Sequence, residues 1–153
     1  MRIALLFHLL GVVVWVGGMF FAYMALRPVA ADMLQPPQRL RLWVGVFGKF
    51  FLWVWLSIAM ILSSGLYMLL LLLMEGSRSA PWYTYAMVGL GVVMMLIFAH
   101  VFFAPYKKLK NAVDEQTWPQ GAAPLGQIRI MIGVNLGLGL ATLVVVMVGQ
   151  ALA

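Results

Sequence analysis

Four long apolar segments, separated by polar stretches, dominate the pattern of this chain. They cover roughly residues 3–26, 44–73, 84–106 and 128–152. Each one exceeds the ~20 residues that an α-helix needs to cross about 30 Å of hydrocarbon. The pattern therefore predicts an all-α integral membrane protein with four transmembrane helices.

The polar stretches between these segments predict how the helices are connected. Pro28, Pro36 and Pro37 indicate that the first helix stops and that the second begins only later, and the stretch 107–127 is the longest predicted loop. Short connections favour antiparallel neighbours, so we expect one transmembrane domain over residues 1–153, folded as an up-down four-helix bundle. We interpret the first segment as a retained helix, because its apolar core is too long for a signal peptide.

Composition places the chain in lipid and narrows its chemistry. The sequence is 65% hydrophobic and 9% charged, which is far too apolar for a soluble domain of this length. Cysteine is absent, and its absence excludes disulfides and thiolate metal sites.

The basic residues predict an orientation. Only Arg2 and Arg78 lie near the predicted ends of the chain and the second loop, whereas the other eight lie around the first and third loops: Arg27, Arg39, Arg41, Lys49, Lys107, Lys108, Lys110 and Arg129. By the positive-inside rule, we expect the first and third loops in the cytoplasm and both termini on the periplasmic or exterior side of a bacterial inner membrane. Contact with anionic lipid then accounts for the net charge of +6 without a nucleic-acid partner.

The two histidines both fall inside apolar segments, where an ionisable side chain is a functional candidate by default. His8 lies near the outer end of the first segment, and His100 lies near the inner end of the third. The predicted helix ends separate them by roughly 16 Å along the membrane normal. Two ligands of one metal ion lie much closer than that, so we expect the two imidazoles to belong to different layers.

The outer layer is a predicted metal site. It combines His8 with the thioethers of Met68, Met87 and Met147, a set that suits Cu(I) or haem iron. The inner layer, made of Lys49, His100 and Asn135, is predicted to be a hydrogen-bonded polar cluster. The alternative for any one methionine is that it fills space in the apolar core.

Small residues mark the predicted helix contacts. Gly11 and Gly18 lie on the same face of the first helix as His8, and Gly133 and Gly137 form a GxxxG pattern in the fourth. Such positions let helices approach closely, within the bundle or between copies of the chain. We interpret these four glycines as packing sites.

The first helix resembles the copper resistance protein D (CopD) superfamily. The shared motif is a His followed seven residues later by a Trp and then by a small residue and Gly, which here reads HLLGVVVWVGGMFF over residues 8–21. The same helix looks like that of HemJ-type protoporphyrinogen oxidases, and FAH at 98–100 with PYKK at 105–108 is similar to their third helix. The fourth helix, from IR at 128–129 to NLGLGLAT at 135–142, looks most like small CopD-family proteins.

The resemblance implies two functions that both use His8. CopD-like proteins imply copper homeostasis or transport, and HemJ-type proteins imply a haem-b redox protein. HemJ proteins also carry a lysine near the start of the third helix, and this chain has none between Trp82 and Gly91. A third hypothesis is that the chain is a non-catalytic accessory subunit of a homo-oligomer or a larger membrane complex. We predict no catalytic residue set for this chain.

Overall fold

The computed structural model describes residues 1–74 and 80–152. Helix α1 (Arg2–Phe21) continues through a π-helical turn (Ala22–Leu26) into α2 (Arg27–Met33). Helix α3 (Pro36–Met74) returns after two residues, and α4 (Trp82–Phe103), α5 (Pro105–Asp114) and α6 (Trp118–Ala151) follow. The described residues contain no strand, which confirms the all-α prediction.

Four helical stretches are long and apolar enough to cross a membrane, as predicted: Arg2–Met33, Pro36–Met74, Trp82–Asp114 and Trp118–Ala151. The protein is therefore a multi-pass membrane protein, and lipid is its main surroundings. We call the end of the bundle that holds Arg2, Met74, Trp82 and Ala151 the terminal end, and the opposite end the basic end. Arg78 lies outside the described residues.

The helices pack as two hairpins. The first hairpin consists of α1, α2 and α3, and α1 packs chiefly against α3. The second hairpin consists of α4, α5 and α6, in which both α4 and α5 pack against α6. Each hairpin is antiparallel, because its helices are joined by a short turn at the basic end.

The structure corrects the predicted helix ends at the basic end. The stretches predicted as loops, 27–43 and 107–127, are almost entirely helical. The prolines begin helices there, because a helix needs no N–H at its first turn and proline already has a helical φ. Pro36 and Pro105 are the first residues of α3 and α5, and Pro28 lies in the first turn of α2.

The long helices consequently extend beyond the hydrocarbon at the basic end. Helix α3 has 39 residues, which corresponds to about 58 Å of helix against ~30 Å of hydrocarbon. In this extension Leu109 of α5 and Ile128 of α6 are fully buried, and Leu40 of α3 is 3% exposed. The lysines of α5 remain exposed on its other face.

An aromatic layer joins the two hairpins in the middle of the bundle. The Phe51 ring of α3 lies 5.3 Å from the Phe98 ring of α4 and 5.0 Å from the Tyr106 ring of α5, measured between centroids. Trp15 of α1 meets Phe98 edge-on at 6.2 Å. This shared core does not extend to the terminal end, because residues 1–10 and 82–93 are all at least partly exposed.

Three of the four predicted packing glycines lie at close helix contacts. A Cβ on Gly11 would lie 2.9 Å from Ile61 Cγ1 and 3.0 Å from the Ser57 carbonyl oxygen of α3. A Cβ on Gly18 would overlap the Phe50 ring, and one on Gly133 would lie 3.0 Å from the Tyr23 ring. By contrast, a Cβ on Gly137 would meet no described atom within 4 Å, so its packing role stays a prediction for a contact outside this chain.

Gly149 is a further close contact, and it gives a direct test of the second hairpin. A Cβ there would lie 2.5 Å from Tyr83 Cβ, an atom that cannot move without the α4 backbone. We expect Gly149→Ala to destabilise the protein by about 1–3 kcal/mol, as overpacking does. Thermal unfolding in detergent, followed by circular dichroism, measures the change.

Gly137→Ala is the matched control on the same helix. It adds the same methyl group where there is space, so we expect a free energy of unfolding within about 1 kcal/mol of the wild-type value. Equal unfolding midpoints for the two variants would contradict the packing of Gly149 against Tyr83.

Candidate functional site

His8 lies at the α1–α3 contact of the first hairpin. Its imidazole is half-buried, and its Nδ1 atom is 3.1 Å from Ser64 Oγ. The ring also packs against Gly65, where a Cβ would lie 3.3 Å from His8 Cε1. The absence of a side chain at residue 65 therefore leaves space for the imidazole beside α3.

The hydrogen bonds of Ser64 favour a proton on Nδ1 of His8. Ser64 is buried, and its hydroxyl donates to the Met60 carbonyl one turn earlier at 2.5 Å, with Ile61 O at 3.3 Å. A hydroxyl has one proton, so Ser64 Oγ accepts from Nδ1–H of His8. A neutral imidazole protonated at Nδ1 keeps its lone pair on Nε2, which is the form that binds a metal.

A cleft of about 780 Å³ opens beside this pair at the terminal end. Its lining residues come from the start of α1 and the last third of α3: Met1, Arg2, Ile3, Ala4, Phe7, Met60, Ser63, Ser64 and Tyr67. The cleft is mostly apolar, with one guanidinium, one phenol, two hydroxyls and two thioethers. Its volume falls in the range of small-ligand sites, about 300–1,000 Å³.

The predicted ligands of the outer layer divide between the hairpins. Met68 lies one helical turn beyond Ser64 on α3 and is half-buried, so it shares a hairpin with His8. Met87 lies on α4 and Met147 on α6, where the Met147 side chain is 62% exposed. Among residues 1–74 and 80–152, no three His, Cys, Asp or Glu side chains come together as a metal site.

The predicted inner layer is divided as well. Asn135 is buried, and its Nδ2 donates to the Met94 carbonyl at 3.3 Å. Lys49 and His100 are exposed, and in the described part of the chain neither side chain bonds to Asn135. Position 49 lies on the face of α3 opposite the buried Phe47 and Phe51, which explains why it points away from the bundle.

His100 also lies at a different level from His8. Phe98 contacts Trp15, which is seven residues below His8 on α1. At 1.5 Å per residue, His100 is about 13 Å further along the bundle than His8. The two imidazoles therefore cannot bind one ion in this arrangement.

Ser64 is the functional candidate that does not stand out in the sequence. A serine in a transmembrane helix usually satisfies its hydroxyl with a carbonyl of its own helix, as Ser63 does with Ala59 O at 2.7 Å. The signal available in the sequence is that Ser64 and Gly65 are adjacent, a small polar and a smaller residue in an otherwise bulky segment.

The fold and this site define a four-helix multi-pass membrane protein with an imidazole held at a helix contact near one end of the bundle. The family model described as "Copper resistance protein D" matches residues 44–148. The chain belongs to this family. The match covers most of α3 and all of α4 and α5, and it runs to near the end of α6, so it does not include His8. No curated protein and no solved structure matches the chain significantly.

The tautomer of His8 can be observed directly. We expect ¹⁵N NMR of the protein in detergent to show His8 protonated at Nδ1, with Nε2 unprotonated. Ser64→Ala removes the acceptor, so the Nδ1 preference should be lost. His100→Gln assigns the two imidazole signals.

Ser63→Ala is the control for this experiment. Ser63 is the exposed neighbour and bonds only to carbonyls of its own helix, Ala59 O and Met60 O. We expect the wild-type spectrum in this variant. An Nε2–H tautomer in the wild-type protein would contradict the assigned direction of the His8–Ser64 hydrogen bond.

Proposed function

We propose that this protein handles copper, binding Cu(I) near the terminal end of the bundle through His8 Nε2. The observation that supports this proposal is the hydrogen bond between His8 Nδ1 and Ser64 Oγ, which leaves Nε2 as the free ligand atom. Membership of the copper resistance protein D family supports the metal. The finer assignment to His8 rests on the geometry of α1 and α3 alone.

Thioethers of α3 complete the proposed site. Met60 lines the cleft together with Ser64, and Met68 follows one turn beyond Ser64. Imidazole and thioether are both neutral ligands, and thioether sulfur is soft, a combination that favours Cu(I) over harder divalent ions. Met87 and Met147 stay predicted ligands, and they would have to act from the second hairpin.

Ser64 acts in this proposal as the partner that orients the ligand. A hydrogen bond to the second ring nitrogen is what most metal-binding histidines have, and its loss typically weakens metal affinity about 10- to 100-fold. Here the partner is a hydroxyl rather than a carboxylate. The site therefore adds no negative charge inside the apolar surroundings, and the bound ion keeps its single positive charge.

The orientation of the bundle follows from charge. Eight of the ten basic residues lie towards the basic end, which the positive-inside rule assigns to the cytoplasm. In a bacterial inner membrane the cleft would then open on the periplasmic or exterior side. Copper would enter or leave the protein there.

Haem b is the second candidate ligand of the same cleft. The volume of about 780 Å³ suits a small-molecule cofactor, and His8, which lies beside the cleft next to its lining residues Phe7 and Ser64, would hold the iron through Nε2. Arg2 lines the cleft and could pair with a carboxylate of the porphyrin. When bound, the haem would supply one-electron redox chemistry, and His8 and Arg2 would hold and orient it.

Competition with a chromophoric Cu(I) chelator under anaerobic conditions tests the copper proposal. We expect His8→Ala to abolish Cu(I) binding at this site. Ser64→Ala should weaken the affinity of the site for Cu(I) about 10- to 100-fold. His100→Ala is the matched control, since it removes the other, exposed imidazole and should leave the affinity unchanged.

A reduced-minus-oxidised visible spectrum of the same preparation separates the alternatives. A Soret band that disappears in His8→Ala would favour haem over copper. A preparation that contains neither copper nor a Soret band would contradict both the copper proposal and the haem proposal. If that preparation also forms an oligomer that Gly137→Leu disrupts, the accessory-subunit hypothesis is favoured.

A further inference from the structure

A second polar position lies deeper in the bundle, where the two hairpins meet. A narrow void of about 10 Å³ lies between α1, α3, α4 and α6. Its walls include Trp15 and Met19 of α1, Phe51 of α3, Phe98 of α4, and Met131 and Asn135 of α6. This volume is about that of one water-sized sphere, so the void admits a bare ion or a single water and nothing larger.

Asn135 presents an unpaired acceptor at this void. The residue is 3% exposed, and its Nδ2 is already bonded to Met94 O. Its Oδ1 is buried and has no hydrogen-bond partner among the described residues. A buried carbonyl oxygen without a donor or a cation is costly, so this atom points to an occupant.

The other atoms around the void are soft or aromatic. Met19 is 2% exposed, so its thioether is shielded from lipid and water, and Met131 is half-buried. The Phe98 ring lies 6.2 Å from Trp15 and 5.3 Å from Phe51, and such rings attract a cation through their quadrupoles. Thioether sulfur is a preferred ligand of Cu(I).

A water is the competing occupant. Buried waters make two to four hydrogen bonds, and the wall offers two polar side-chain groups, Asn135 Oδ1 and the indole N–H of Trp15, which is the lower limit of that range. A monovalent soft ion uses Oδ1, both thioethers and the rings together. The two thioethers, which a water does not use, are the feature of the wall that favours Cu(I) over a water.

We infer that Met19, Met131 and Asn135 Oδ1 form an interior Cu(I) site, distinct from the site at His8. This inference rests on the proposed function, because it takes Cu(I) as the ion that the protein carries. Met19 lies eleven residues below His8, about 16 Å along α1. The interior site would be an intermediate binding site on a path from the terminal end into the bundle. It would bind the ion weakly enough to release it.

Copper counting in variants of the full chain tests the inference. Wild-type protein, Met19→Leu/Met131→Leu and His8→Ala are equilibrated by dialysis against a buffered anaerobic Cu(I) solution, and the bound metal is measured against the dialysate. Leucine conserves the volume of methionine, so the double variant should fold, which circular dichroism and size exclusion check. We expect it to bind about one copper ion fewer per chain than the wild type, because two ligands of the interior site are gone.

Met24→Leu/Met33→Leu is the matched control. These methionines belong to the same spanning helix but are 57% and 75% exposed, so their removal should leave the copper count unchanged. X-ray absorption provides a second readout. Copper left in His8→Ala should show sulfur and oxygen neighbours without imidazole, and copper left in the Met19→Leu/Met131→Leu variant should show an imidazole nitrogen.

The outcomes distinguish the two proposals. If His8→Ala loses all copper and the double variant loses none, the interior site is refuted while the His8 site stands. If the double variant loses copper and His8→Ala does not, the His8 site is refuted and the interior site stands. Wild-type protein that retains no copper refutes both, and a void filled by water then accounts for Asn135.

Discussion

The contact between Phe98 and the rings of Trp15 and Phe51 holds the two hairpins together, and the remaining architecture depends on it. In lipid, apolar surface gives helices little reason to associate, so interlocking side chains must supply the attraction. Here bulky rings fill the middle of the bundle, and close glycine contacts such as Gly11 with α3 bind each hairpin internally. Towards the terminal end, residues 1–10 and 82–93 are all at least partly exposed, and the cleft beside His8 and Ser64 opens there.

Two of the buried polar side chains in this apolar bundle, Ser64 and Asn135, have specific structural consequences. The Ser64 hydroxyl satisfies Met60 O and at the same time fixes the proton of His8. Asn135 donates its amide N–H to Met94 O, and its Oδ1 is buried without a partner among the described residues. Both positions combine a neutral ligand atom with nearby thioethers, so a soft monovalent ion could occupy either without a buried carboxylate.

The sequence predicts the four spans well because hydrophobic length alone determines them. It predicts their ends poorly, since proline is interpreted as a helix stop although Pro36 begins a helix and Pro28 lies in the first turn of another. It also identifies His8, because a histidine within an apolar segment is conspicuous. Which way Lys49 and His100 face could not be predicted, because these helices are apolar on all sides and periodicity gives no inward direction. The role of Ser64 depends on its alignment with His8 across two helices, which only the packed hairpin defines.

In the proposed copper path, the two positions differ in how strongly they would bind the ion. An imidazole with a free lone pair is a stronger donor than a thioether, so an ion at the terminal end is captured mainly by His8. At the interior void, two thioethers and an amide oxygen bind less strongly, but the aromatic rings compensate part of the lost hydration. Conduction requires such moderate binding, because an ion held by a second histidine in the middle of the membrane would be trapped. The outward orientation of His100 is consistent with this requirement, since it keeps the only other imidazole of the chain away from the void.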